Sequence, residues 1–292
     1  MIGVFGDVTL DITAKTDGPL QWGSDVVGTI LLKNGGSAAN FAAWLGFLRR
    51  RPLFVGSVGQ DQWGQAVEVE LTRCGVKTYL TAKDQASTGT ILVLVDEKGE
   101  RTMVTDRGAN LLLKPFDFPP DFFNQIRHLH VTGYSFFGGL DLLKTTTWAL
   151  RQAGKQDLAV SVDPSSYALL HSFGPARFLQ MTQGADFVFP NLVEGQVLSG
   201  ERDPWMIVRF LLDYYECVVL TLGAEGCLCG TASGIHQVPG RNVHVEDTTG
   251  AGDAFAAGFL GEFYQSGDLL KALNSGSEAA GECVQHIGAR PV

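Results

Sequence analysis

The sequence has no CxxC pair, no surplus of positive charge and no apolar run long enough to span a membrane. Its five cysteines, Cys74, Cys217, Cys227, Cys229 and Cys283, are an odd number without metal-binding spacing, so they read as reduced thiols rather than a disulfide frame or zinc site. Cys227 and Cys229 flank Leu228 and fall on one face of a strand. His128 and His130 share a strand face in the same way, but no third ligand is spaced to complete a zinc site. Lysine and arginine number 22 against 31 acidic residues, and the formal net charge of -9 argues against a nucleic-acid or anionic-membrane partner, though it leaves room for a local basic pocket. The beginning of the chain lacks the basic region and cleavage signal of a secretory leader; with the reduced thiols this predicts a cytoplasmic protein acting on small molecules. Two further absences restrict the chemistry. There is neither a GxxxxGK(S/T) loop nor a protein-kinase signature, and no GxGxxG follows the first apolar run with an acidic residue some twenty positions on, which counts against a dinucleotide site. No internal repeat or low-complexity segment is present.

What is there suffices for one large α/β domain or two small ones: 292 residues, 45% of them hydrophobic. Residues 2–5 form a short apolar run that stops at Gly6-Asp7, as a buried strand does where an open sheet meets its ligands. From Leu129 onward, strands (HLHVTGY, LAVSVDP, DFVFPN, CVVLTLG) alternate with helices near 140–153, 176–181, from 192 and near 207–215. That rhythm predicts a parallel sheet covered by helices on both faces, with ligands at the strand carboxyl ends, where Asp163, Asn191 and Thr221 fall. Residues 12–33 are irregular and too long for a simple connection, so they are expected to hold strands of their own. Residues 88–105 read as a hairpin turning at 96–99, and residues 235–246 as a further β-rich stretch. Asp61 is placed as a helix cap, the apolar residues Phe41, Trp44, Leu45 and Leu48 predict an amphipathic helix, and residues 275–288 predict a last helix rich in small residues.

The chain is organised around residues 247–260, DTTGAGDAFAAGFL. Thr248 and Thr249 favour a turn, Gly250 and Gly252 bracket Ala251, and a buried helix follows. Bare backbone N–H groups at a helix N-terminus attract phosphate oxygens, the helix end adding roughly half a positive charge. Asp253 lies inside that anion-attracting turn. A carboxylate is a poor phosphate ligand but a good general base, suited to take a proton from a hydroxyl that attacks the phosphate. Taken alone, the stretch reads equally as a glycine turn with a capping aspartate. A second glycine stretch far upstream, Gly35-Gly36-Ser37-Ala38-Ala39-Asn40, also opens an alanine-rich helix. There the glycines let backbone approach a ligand, and Asn40 offers both the donor and the acceptor that a vicinal diol requires.

These two motifs, with the VGxVGxDxxG pattern at 55–64 and PNLVEGQVLSG at 190–200, closely resemble the ribokinase-like (PfkB) carbohydrate kinase family over nearly the whole chain. The resemblance implies a single domain, 1–292, with a ribokinase-like three-layer sandwich, a mostly parallel central sheet and a small β-sheet lid formed by about 12–34 and 86–107. It implies transfer of phosphate from ATP to a hydroxyl of a small sugar or sugar acid, as in ribokinase, fructokinase or 2-keto-3-deoxygluconate kinase. Asp253 would be the base and Gly250, Ala251 and Gly252 the phosphate cradle; Asp11, Gly35, Gly36 and Asn40 would hold the sugar. Arg107, at the junction of lid and large domain, would pair with a substrate carboxylate or phosphate, or else brace the hinge. Thr221, Gly223, Gly226, Thr249 and Asn191 would line the nucleotide site. Asn191 and Glu194 would hold Mg2+ largely through water, although they also suit a helix cap. In relatives, carbonyls near the end of the last helix join Asp247 and Thr249 in binding a monovalent cation, so K+ is considered alongside ATP and Mg2+. The lid edge leaves a homodimer open. The family's usual glycine after the early helix is replaced by Arg49-Arg50-Arg51, expected to form a solvated helix end.

Two other functions use parts of the same pattern. A nucleoside kinase of the same fold would need an apolar slot for the base, built from Trp22, Phe136 or Phe137. A nicotinamide enzyme or a non-catalytic sensor on an α/β sheet is disfavoured, the first by the missing dinucleotide motif and the second by the presence of Asp253.

Overall fold

The structure is a computed structural model and describes residues 1–20, 23–95 and 101–291. Its elements are, in order, β1 (Ile2–Phe5), β2 (Thr9–Thr16), β3 (Gly28–Gly35), α1 (Ser37–Phe47), β4 (Leu53–Gly59), α2 (Gln62–Arg73), β5 (Lys77–Lys83), β6 (Gly89–Val95) and β7 (Arg101–Asp106). They continue with α3 (Phe122–Gln125), β8 (His128–Thr132), α4 (Gly139–Lys155), β9 (Ala159–Asp163), α5 (Tyr167–Phe173), α6 (Pro175–Thr182), β10 (Phe187–Val188) and α7 (Leu192–Ser199). The last are α8 (Pro204–Leu211), β11 (Cys217–Thr221), β12 (Cys227–Thr231), β13 (Gly234–Val238), α9 (Ala251–Ser266) and α10 (Leu269–Cys283).

Every residue of β1 is buried, as an interior strand with helices on both sides requires. It sits in a nine-stranded sheet ordered β13-β12-β11-β10-β9-β8-β1-β4-β5. Pairing is parallel from β5 through to β11; β12 and β13 return antiparallel. Neighbouring residues on a strand point to opposite faces, and the core divides accordingly. Val4, Phe54 and Val219 pack under α1, α9 and α10, whereas Phe5, Val55 and Val218 pack under α4 to α8. The connections diverge at β1: β4 and β5 extend one way and β8 to β11 the other. A ligand crevice opens at the carboxyl ends of the strands beside such a switch point.

The irregular segment 12–33 resolves into strands that join the hairpin in a second sheet, ordered β3-β2-β6-β7. Its outer pairs are antiparallel and its central pair, β2 with β6, is parallel. The turn expected at 96–99 and Trp22 lie outside the described residues. One face of this sheet, with Asp11, Thr13 and Lys15, looks into the crevice. The other leaves Ile30 68% and Val104 60% exposed. Asn110 fastens the two sheets, accepting from Val8 N at 3.0 Å and donating to Val8 O at 2.9 Å. Asp61 caps α2 by accepting from Trp63 N and Gly64 N, and it also accepts from Thr88 N at 2.8 Å, which anchors the start of β6.

Several local expectations change. Helix α1 is buried from Ala38 to Gly46 rather than amphipathic, because α9 packs along it in addition to the sheet, and Leu48 caps its end. The arginine triplet is not a wholly solvated end. Arg49 and Arg51 have φ of 61° and 49°, the left-handed backbone that glycine adopts without cost, while Arg50 turns back onto α9 and pairs with Glu262 at 3.4 Å. The β-rich stretch at 235–246 ends at Val238, the final helix spans Leu269–Cys283, and α5 has no counterpart in the sequence reading. The buried histidines form a neutral core pair, sharing Ser161 Oγ at 2.6 and 2.7 Å; burial pushes His130 down to about 3. The cysteines are free thiols. Among the described residues there is no metal-binding cluster of three or more His, Cys, Asp or Glu, and no helix is long and apolar enough to cross a membrane.

Candidate active site

The loop before α9 reaches the crevice with Gly250 as the helix N-cap, at φ 79°. An added Cβ there would lie 2.5 Å from the Ala289 Cβ, so the loop rests directly on the C-terminal segment. Gly252 differs: a Cβ would meet only Asp163 Oδ2, at 3.9 Å, because this position faces open space. The first-turn N–H groups of a helix have no carbonyl four residues back. Of the three expected to cradle a phosphate, that of Ala251 turns toward Thr248 O at 3.3 Å, leaving Gly250 and Gly252 as the better-placed donors. Asp247 steadies the loop by accepting from Thr249 N and Oγ1 at 2.9 and 2.7 Å and from Gly288 N at 3.0 Å.

Asp253, in the first turn of α9, is only 9% exposed. Ser37 Oγ donates to its Oδ1 at 2.6 Å and Asn40 Nδ2 to its Oδ2 at 3.0 Å. The two glycine stretches, more than two hundred positions apart in the chain, therefore meet at one carboxylate. Burial first, and the nearby Asp163 second, push this carboxyl well above the usual carboxylate range despite the two hydrogen bonds. An elevated pKa inside a cleft marks a candidate proton acceptor.

On the other wall Asp11 projects from β2 opposite Lys33 of β3. Burial pushes its carboxyl up, while the Thr9 hydroxyl, at 2.8 Å, and the Arg290 charge oppose the shift. A Cβ on Gly35 would fall 2.2 Å from Asp11 Oδ2, so the aspartate keeps its place only because residue 35 has no side chain. Gly35→Ala is expected to expel Asp11 from the cleft and raise the acceptor KM at least about ten-fold, with a stability loss of about 1–3 kcal/mol. Steady-state kinetics and a melting curve check both. Gly36 is the N-cap of α1, with φ 91°, and Asp7 accepts from Ser37 N at 2.8 Å, holding that turn. Arg107 ties the end of β7 to the segment after β8: Nη2 donates to Tyr134 O at 2.6 Å, and Nη1 is buried without a hydrogen-bond partner. Its side chain also borders the cleft.

Asn191 and Glu194 form a reciprocal capping box at the start of α7, each side chain bonding the other's N–H at 3.0 Å. Glu194 is 3% exposed, near Asp163 of β9; burial pushes both carboxyls upward, helped by the Asp163 charge at Glu194 and by the Asp7 charge at Asp163. Thr221 lines the cleft beside Asn191. Gly223 and Gly226 do not line it, and Gly226 has a steric task instead, since a Cβ there would meet Val238 O at 2.0 Å. Phe136 and Phe137 pack with Phe173 and Phe178 in the core, so they form no base slot. Ser37 and Tyr134 line the cleft without having been expected there, and Arg290 stands behind its wall. Ser37 carried a signal, standing directly after the glycine pair; Tyr134 and Arg290 carried none, since only folding brings them to the site.

The resulting cleft has a volume near 1220 Å³, more than one small ligand needs. It has the N-terminus of α9 on one side and Asp11, Gly36 and Asn40 on the other, with Asp253 between them. A fructokinase of Escherichia coli is 32% identical over 267 residues, covering 89% of this chain and 83% of that protein. An ATP-dependent ribose-1-phosphate kinase of Halopiger xanaduensis is 28% identical over 287 residues, covering 98% and 92%. The crystal structure of adenosine kinase from Sinorhizobium meliloti superposes with a TM-score of 0.91 at 26% identity, covering 100% of this chain and 95% of that one. The family model of the pfkB carbohydrate kinases matches residues 1–292, and the chain belongs to that family of carbohydrate kinases.

Proposed function

We propose that the protein transfers the terminal phosphoryl group of ATP to a hydroxyl of a small sugar or sugar acid in the cytoplasm, with the four-stranded sheet closing over the acceptor as a lid. The observation that carries this reading is the position of Asp253: one buried carboxylate in the first turn of α9, hydrogen-bonded to Ser37 and Asn40 of α1. The N–H groups of Gly250 and Gly252, with the positive end of α9, hold the terminal phosphate oxygens and stabilise the charge that builds on them during transfer. Asp11, the Gly36 backbone and Asn40 hold the acceptor. Its hydroxyl oxygen forms a new bond to phosphorus as the bond to ADP breaks, and Asp253 takes the hydroxyl proton. Asn191 and Glu194 suit a water-mediated magnesium ion, because Glu194 and Asp163 are buried acids whose repulsion a cation relieves. Magnesium, when bound, neutralises phosphate charge on the donor. Arg107, whose side chain borders the cleft, favours an acceptor carrying a carboxylate or phosphate.

The test is ADP formation from magnesium-ATP over a panel of sugars, sugar acids and nucleosides, with mass spectrometry of the product. The expected result is ADP release that depends on a sugar or sugar acid and yields a monophosphorylated acceptor. A signal confined to nucleosides, or hydrolysis without an acceptor, overturns the reading.

A further inference from the structure

Behind the acceptor wall lies a buried cation outside the proposed chemistry, on the segment that follows α10. Arg290 is 8% exposed. Its Nε donates to Asn40 Oδ1 at 3.1 Å, Nη2 donates to Gly35 O at 2.7 Å, and Nη1 pairs with Glu70 of α2. The residues before it are tied to the donor loop: Gly288 N bonds Asp247, and Ala289 packs on Gly250. Ala289 O also accepts from Trp44 Nε1 of α1 at 2.9 Å. One short stretch therefore touches both the phosphate loop and the acceptor helix.

Donor and acceptor chemistry fixes what Arg290 does to its neighbour. A guanidinium has only donors, so the Asn40 atom facing it is the carbonyl oxygen, and the amide nitrogen must point the other way, at Asp253. We infer that Arg290 is a positioning residue for phosphoryl transfer: it locks the amide of Asn40 so that the NH2 group holds the Asp253 carboxylate against the acceptor. With Arg290 gone, the Asn40 amide is free to flip and set its oxygen against the carboxylate, which swings the base away from the acceptor hydroxyl. A misplacement of about 1 Å at a reacting centre costs on the order of 10²-fold in rate. This inference rests on Asp253 as the base.

The experiment is a double-mutant cycle on the full chain, read as kcat and KM with the best acceptor of the panel and magnesium-ATP. Arg290→Gln is expected to lower kcat about 10- to 100-fold with little change in the KM for ATP. Arg290→Lys keeps the charge beside Glu70 but not the planar fork, so it should melt close to the parent and still be slowed. In an Asn40→Ala background Arg290→Gln should add almost nothing, because the group through which it acts is gone. Glu70→Gln removes the outer ion pair alone and should retain kcat within about two-fold. Multiplicative losses in the cycle, full activity of Arg290→Lys, or a Glu70→Gln variant as slow as Arg290→Gln would each reduce Arg290 to a structural strut. Failure of the base assignment is seen separately, as turnover in Asp253→Asn.

Discussion

An Asp253→Asn enzyme is expected to fold, bind ATP about as well as the parent, and turn over roughly 10²- to 10⁴-fold more slowly. Folding should survive because the amide satisfies the same partners. Its oxygen can accept from Asn40 Nδ2, and its nitrogen can donate to Ser37 Oγ, a hydroxyl that accepts as readily as it donates. ATP affinity should survive because the donor side is built from backbone N–H groups and a helix end, and removing a negative charge beside phosphate does not weaken them. Stability near neutral pH should hold or rise. The folded-state pKa of Asp253 is raised above its unfolded value, chiefly by burial, so the folded protein binds more protons across the interval between the two. Stability from this group is therefore lost as pH rises through that interval, and the uncharged amide removes the loss. For the parent, the base must be ionised to act, so kcat/KM should fall as pH drops through a limb above the ordinary carboxylate range. Parental turnover in a purified, folded variant would show that Asp253 is not the base.

Gly252→Val should separate folding from chemistry at the phosphate loop. A Cβ at 252 meets nothing nearer than Asp163 Oδ2 at 3.9 Å, so the fold has room for a side chain. In the proposed reaction this room is taken by the transferring phosphate. The variant is expected to melt within a few degrees of the parent and to lose about 10²-fold or more in kcat/KM for ATP, since it keeps the N–H but bars the phosphate from it. Gly250→Ala should behave in the opposite manner. Position 250 is left-handed at φ 79°, and its Cβ would collide with Ala289, so the whole loop must shift and stability falls along with rate. Equal melting losses in both variants, or an unaltered KM for ATP in Gly252→Val, would remove the phosphate from this loop.

The alternation of strands and helices after Leu129, the stop of the first strand at Gly6-Asp7 and the glycine turn running into α9 were all legible in order along the chain. Each depends on periodicity or on backbone freedom, which neighbouring residues encode locally. The burial of α1 from Ala38 to Gly46 was not, because an alanine-rich helix looks the same whether one layer covers it or two. Nor was the meaning of Asn191 and Glu194 decided by their spacing, which serves a capping box and a metal site equally well; the hydrogen bonds show the box.

Sequence by itself determined the α/β class, the kinase family and the two glycine stretches, since these follow from local pattern and from motif identity. Only the tertiary structure decided that both stretches converge on Asp253, that Asp11 depends on the missing side chain at Gly35, and that Arg290 stands behind Asn40. Contacts between residues two hundred positions apart are set by how strands are ordered in the sheet and how helices pack on it. That order leaves no mark on the local pattern of either partner.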